Sequence, residues 1–239
     1  MRNLFAAALA LAVLGACTTL AAAKTAPPNP HNFTGSPNAE ARFSGEGGTF
    51  TLKPFTVTCE KTSDVKSGIT TTFPSKTLTA TVKYSECEAE ATLDKAEYEL
   101  KAKFLTPVTF NYHANGAVEV GSGGTVKEGK LEGATAIEIA VSGAFKCTIS
   151  VEPGTYPSSF LNKPEAEFEA AKFTNKEETV QKGKNSVVVK KLEIGTSLTK
   201  VPYELEGEFC EKLPKTEFKN GTFEGKLLSE IKKGSISRE

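Results

Sequence analysis

Hydrolysis of the Ser-His-Asp kind needs an imidazole base, and past residue 42 the chain offers one, His113. His113 stands two positions before Asn115-Gly116, where a half-buried structural role is expected, and no Gly-x-Ser-x-Gly elbow supplies a nucleophile. His31 lies in a Pro-rich stretch and is expected to be solvated. Paired carboxylates could act as acid and base on a glycoside, but 29 acidic residues guarantee chance neighbours, so abundance selects no pair. Glu99 and Glu204 are more pointed, since each sits in a Tyr-Glu-Leu triplet. On a strand both would face water. Asp64 and Asp94 are the only aspartates, which argues against a calcium loop. Tryptophan is absent, so a sugar platform would fall to Tyr84, Tyr98, Tyr112, Tyr156 or Tyr203. Gly121-Ser122-Gly123-Gly124 lacks the Gly-Lys-Thr/Ser ending of a phosphate loop. No catalytic, cofactor-binding or metal-ligating residue is therefore assigned.

The cysteines read as structure. Apart from Cys17, an even set remains, Cys59, Cys87, Cys147 and Cys210, without the close spacing of a metal knuckle. Three pairings are open. Cys59 with Cys87 and Cys147 with Cys210 are preferred, because each pair falls within one half of the chain. Closing loops of those lengths would contribute about 3.5 and 4.3 kcal/mol on a chain-entropy basis.

The elements that must position these residues are strands. From Ala96 to Phe104 the apolar side chains take even positions and the charged ones odd positions, which predicts a strand burying Tyr98, Leu100 and Phe104. Phe50, Leu52, Phe55, Val57 and Cys59 predict an inward face around Pro54. Leu78, Ala80, Val82 and Tyr84 predict another, ending in an acidic turn around Cys87. Phe145, Cys147, Ile149 and Val151 predict a third. Thr92–Val120 recurs without a gap as Ser197–Gly225, 105 positions later, with Leu93, Tyr98, Phe104 and Glu119 returning as Leu198, Tyr203, Phe209 and Glu224. Asn115-Gly116 and Asn220-Gly221 are expected to be tight two-residue turns. The expected class is all-β, of sandwich or barrel type, with two tandem β modules from an internal duplication.

The expected organisation is a signal peptide (1–23), a Pro-rich linker (24–42), a first β module (43–133), a second (134–230) and a frayed tail (231–239). A charged opening followed by the apolar run Leu4–Leu14 has the form of a secretory leader, too short for a permanent span. Cleavage after Ala23 competes with processing at Leu14-Gly15-Ala16-Cys17, which resembles a bacterial lipobox and would leave acyl chains on Cys17. Loss of Arg2 with the leader takes the basic count from 29 to 28, against 29 acidic residues. Charges of both signs alternate with apolar residues along the chain, so nucleic acid and steering to an acidic surface are not indicated.

The Tyr-Glu-Leu triplets, the Gly-rich stretch, Asn220-Gly-Thr-Phe-Glu-Gly, Val57-Thr58-Cys59 and Lys146-Cys147-Thr148-Ile149 together resemble secreted, cysteine-paired β proteins of soil actinobacteria. That resemblance spans most of the chain past the leader and implies export and a β-rich fold. It brings no activity, cofactor or catalytic residue. The expectation is an exported, non-enzymatic module, secreted or on the outer face of the cell envelope, that binds a protein or glycan there. It would have no transmembrane span and would meet the membrane only if Cys17 were lipidated. A carboxylate-dependent hydrolase is the alternative.

Overall fold

The computed structural model describes residues 31–36, 40–64, 69–70, 73–93, 96–122, 126–127, 130–142, 145–158, 167–210, 220–231 and 235–239. The expected leader, with Cys17, lies outside them. The chain passes through β1 (Phe33–Gly35), β2 (Glu40–Leu52), β3 (Phe55–Asp64), β4 (Ile69–Thr70), β5 (Thr77–Leu93), β6 (Ala96–Phe104), β7 (Val108–His113), β8 (Val118–Ser122), β9 (Val126–Lys127) and β10 (Lys130–Leu131). It continues with β11 (Thr135–Ser142), β12 (Phe145–Val151), β13 (Gly154–Tyr156), β14 (Ala171–Lys182), β15 (Asn185–Glu206), β16 (Asn220–Ile231) and β17 (Ile236–Arg238).

From β5, hydrogen-bonded neighbours lead through β3, β2, β16, β15, β12, β11 and β6 and back to β5. Every step is antiparallel. These eight strands close into a barrel, which removes the edges that an open sheet would expose. The two tandem modules need correction, because β6 pairs with β11 and β2 with β16 across the expected boundary at 133/134. The 105-residue offset does not translate into equivalent places. Tyr203 is buried and donates its phenol hydrogen to the Lys53 carbonyl at 2.7 Å, whereas Tyr98 is 48% exposed. Tyr98 protrudes because β11 accompanies β6 only from Lys101 to Phe104. Asn115-Gly116 does turn the chain, in a three-residue loop that closes from His113 N–H to Ala117 O and uses Gly116 at φ 91°. Asn220-Gly221 opens β16 opposite Pro202 and Val201 and is not a turn.

The inward faces follow the expected alternation, with one addition. In β5, Leu78, Ala80, Val82 and Tyr84 are buried, and then Cys87, Ala89 and Ala91. Glu86, at φ 53°, shifts the phase by one residue, so an expected acidic turn is instead a bulge inside a 17-residue strand. β3 shifts at the same level, from Cys59 to Thr62, and β2 does so at Gly47, φ 89°. A Cβ on Gly47 would lie 1.7 Å from the Cys59 carbonyl oxygen, so only glycine fits. Both preferred disulfides form, Cys59–Cys87 between directly opposed residues of β3 and β5, and Cys147–Cys210 between β12 and the segment that follows β15.

Aromatic rings fill the interior. Phe223 lies 4.4 Å from Phe50 and 5.5 Å from Phe110, and Tyr84 lies 5.0 Å from Phe104. The outside of the ring carries Lys61, Lys83, Glu88, Lys101, Glu204 and Glu224, all exposed. This is the reverse of a membrane-spanning barrel, whose outer band is apolar. Among the described residues, no helix is long and apolar enough to cross a membrane. Burial pushes the phenols of Tyr84 and Tyr112 well above their usual 10.0, and those of Tyr156 and Tyr203 up to about 12. A phenol held protonated by the fold contributes stability that is complete below pH 10 and lost as pH climbs through the folded value. Absorbance at 295 nm and circular dichroism should therefore show these phenols ionising together with unfolding, above about pH 10.

Both ends of the described region also fold. Phe33, inside the expected linker, is fully buried at 5.2 Å from Phe173, and Ile236 and Ser237, in the expected frayed tail, are buried. β1 pairs with β17, and Asn32 and Glu239 exchange two backbone hydrogen bonds of 2.9 Å. On its other side β1 bonds to Ser75, while Asn175 of β14 grips the backbone of Arg238 through both ends of its amide, at 2.9 and 3.0 Å. This clasp fills the gap between β14 and the start of β5, where apolar burial of Phe33 and Ile236 overrides the polar composition around them.

Candidate functional site

Along its last seven residues β5 pairs with β6, and along its first six with β7, so β7, β8 and β13 extend the wall beyond the ring. Alternation turns Phe110, Tyr112, Val118 and Val120 to the core and Thr109, Asn111, His113 and Glu119 to the other side. That second face is covered. Leu131 is buried, a Cβ on Gly121 would lie 2.9 Å from the Leu131 side chain, and Ser122 N–H donates to Gly133 O.

Beneath this cover runs a chain of polar contacts. Thr79 Oγ1 donates to Asn111 Oδ1 at 3.1 Å, Asn111 Nδ2 donates to Glu119 Oε2 at 2.9 Å, and His113 Nε2 stands 3.3 Å from Glu119 Oε1. The Glu119 side chain is 6% exposed and that of His113 17%. A carboxylate beside an imidazole can orient it and stabilise its cation, which is half of a nucleophilic triad. The neighbouring hydroxyls are engaged elsewhere, Thr79 on Asn111, and Thr81 and Thr109 on each other at 3.1 Å. The network thus ties β5, β7 and β8 together and holds a buried carboxylate in hydrogen bonds. Its sequence signal was weak, since Asn111, His113 and Glu119 share the face that alternation assigns to water.

The other expected residues are scattered. Glu99 and Glu204 are both exposed on the outer wall, but β11 and β12 lie between their strands, so they form no acid–base pair. Cys59, Cys87, Cys147 and Cys210 are buried in disulfides. His31 lies at the start of the described arm, partly buried. A shallow depression of about 660 Å³ crosses β3, β5, β6 and β11, lined by Glu60, Glu86, Glu88, Glu138, Lys101 and Lys103. Its carboxylates meet lysines, Glu86 with Lys61 at 2.6 Å and Glu138 with Lys146 at 2.9 Å, while Glu88 faces Lys101 across the strands. It is a solvated, charge-matched wall. Among the described residues, no cluster of His, Cys, Asp and Glu could hold a metal ion.

A different kind of surface lies at β14 and β15. Beyond Leu192 and Phe173, which touch the core, the two strands run on as a ribbon to a turn at Gly183, and β16 accompanies β15 only from Glu193. Most of the ribbon is exposed, including Val187 at 38% and Val188 at 59%. No known family, curated protein or solved structure compared with the chain matches it. What the molecule can do is read from this geometry. The ribbon escaped sequence reasoning, although Val187-Val188-Val189 breaks the alternation expected of a half-buried strand.

Proposed function

We propose that the protein is an exported, non-enzymatic binding module that works at the outer face of the cell envelope. The observation that carries this reading is the contrast between its two polar features. The acid–base pairing of Glu119 with His113 is built into a covered wall, whereas the ribbon of β14 and β15 leaves the ring and offers backbone edges and valines to a partner. Export is supported by the two disulfides, which form and persist in oxidising compartments, and by the leader-like opening. An envelope protein or glycan is the expected ligand class.

The alternative, a carboxylate-dependent hydrolase, draws its support from the 3.3 Å approach of His113 to Glu119. Substitution separates the two readings. Glu119→Gln keeps an acceptor for Asn111 and should change stability by no more than about 1 kcal/mol in thermal melts. Incubation of the wild type with glycan, ester and peptide substrates should give no turnover. Hydrolysis that disappears in both Glu119→Gln and His113→Gln, with melts unchanged, would overturn the binding reading.

A further inference from the structure

The ribbon's charge and apolar residues are sorted along its length. Between Asn175 and Lys191 it carries five lysines, Lys176, Lys182, Lys184, Lys190 and Lys191, against two glutamates, Glu177 and Glu178. The glutamates belong to the stem, where Glu178 pairs with Lys191 and Glu177 lies directly opposite Lys190. The stem is braced from the ring, since Glu193 meets Lys226 at 3.2 Å and Lys176 at 3.6 Å. From Thr179 to Val189 no acidic residue remains, and Lys182 and Lys184 flank the turn at Gly183. At that level Val180 pairs with Val187 on one face, and Val188 stands on the other. From Leu192 the tip reaches outward by roughly 25 Å, about eight residues of extended strand.

We infer that this tip is an interfacial anchor for an anionic lipid surface, a reading that rests on the envelope location proposed above and goes beyond the protein or glycan ligand named there. Two observations favour lipid over a folded partner. The valines point to both faces at one level, and a protein surface would cover one face while a headgroup layer surrounds both. The valines lie between Lys184 and Lys190, both exposed, whose long stems let the ammonium groups stay among phosphates while the valines enter the headgroup and acyl boundary. The lipid-facing depth is limited to that boundary, because the edges of a two-stranded ribbon could not leave water for hydrocarbon. Net charge concealed the feature. Outside Asn175–Lys191 the count is 24 basic (29 less five) against 27 acidic residues (29 less two), so a neutral chain carries a surplus of three cations on the ribbon.

The test is co-sedimentation of the oxidised, leader-free chain with vesicles of phosphatidylcholine alone and of phosphatidylcholine with about one-third phosphatidylglycerol. Binding to the anionic vesicles only, weakening with added salt, is expected. Lys184→Gln with Lys190→Gln should weaken it about 25-fold, some fivefold per charge. Val187→Ser with Val188→Ser should also weaken it, and both double variants should melt with the wild type because all four side chains are exposed. No binding to anionic vesicles, or binding that the ribbon variants leave unchanged, overturns the inference. Binding to a soluble anionic polymer without vesicle binding likewise overturns it, while leaving the envelope-binding reading in place. Turnover of a substrate would instead remove that reading.

Discussion

Replacing both Cys147 and Cys210 by alanine is expected to cost about 4 kcal/mol and to lower the melting temperature by roughly 8–16 °C. The bridge spans 63 residues, and on the chain-entropy account a loop of that size contributes about 4.3 kcal/mol by restricting the unfolded chain. It also ties β12 to the segment just past β15, and those two strands share only four paired positions, Thr148–Val151 with Tyr203–Glu206. Alanine is the informative replacement, because serine would bury hydroxyls at positions 0% and 4% exposed. The Cys59–Cys87 pair closes a 28-residue separation between strands that already lie side by side, so its removal should cost less, about 3.5 kcal/mol at most. Calorimetry of the two double variants decides the matter. A loss below 1 kcal/mol for Cys147 and Cys210 would show that the unfolded chain is not what the bridge restrains.

Phe223→Ala should be comparably damaging, at about 3–5 kcal/mol. Phe223 is 2% exposed and touches rings from two other parts of the chain, Phe50 at 4.4 Å and Phe110 at 5.5 Å. Its ring also lies over two glycines: a Cβ on Gly48 would come within 2.8 Å of it, and one on Gly225 within 2.5 Å. Those backbones cannot move inward to fill a vacated space without breaking the β2–β16 ladder, so the cavity would persist. Urea unfolding should show a lower midpoint with an unchanged slope, and Phe223→Leu should lose much less. Equal losses for leucine and alanine would mean that ring stacking, and not filled volume, sets the value of this position.

How much of this was legible depended on the range of the interaction. Leu78 to Tyr84 and Cys147 to Val151 face inward as their alternation requires, because strand parity is a local property. Ring closure was not legible, since it rests on β2 meeting β16 across most of the sequence and on β6 meeting β11 across the expected module boundary. Tyr98 had the right parity and the wrong exposure for the same reason: its cover depends on how far a distant strand extends. Glu119 was visible only as a repeat landmark, and the cover over it is tertiary. Asn-Gly carried one meaning at Asn115 and another at Asn220, because a turn dipeptide is overruled when its neighbours are drawn into a ladder.

The grip of Asn175 on Arg238 gives the N-terminal arm and the ribbon a common root, since β1 is stitched to β17 and β17 to β14. An arm held at a surface would keep the ribbon tip within a few tens of ångströms of that surface. Short tethers of this kind give effective concentrations in the millimolar range. Contacts too weak to capture a free molecule would then be nearly saturated, and Asn175→Ala, which removes the grip on Arg238, would weaken attachment while leaving the exposed tip of the ribbon as it is.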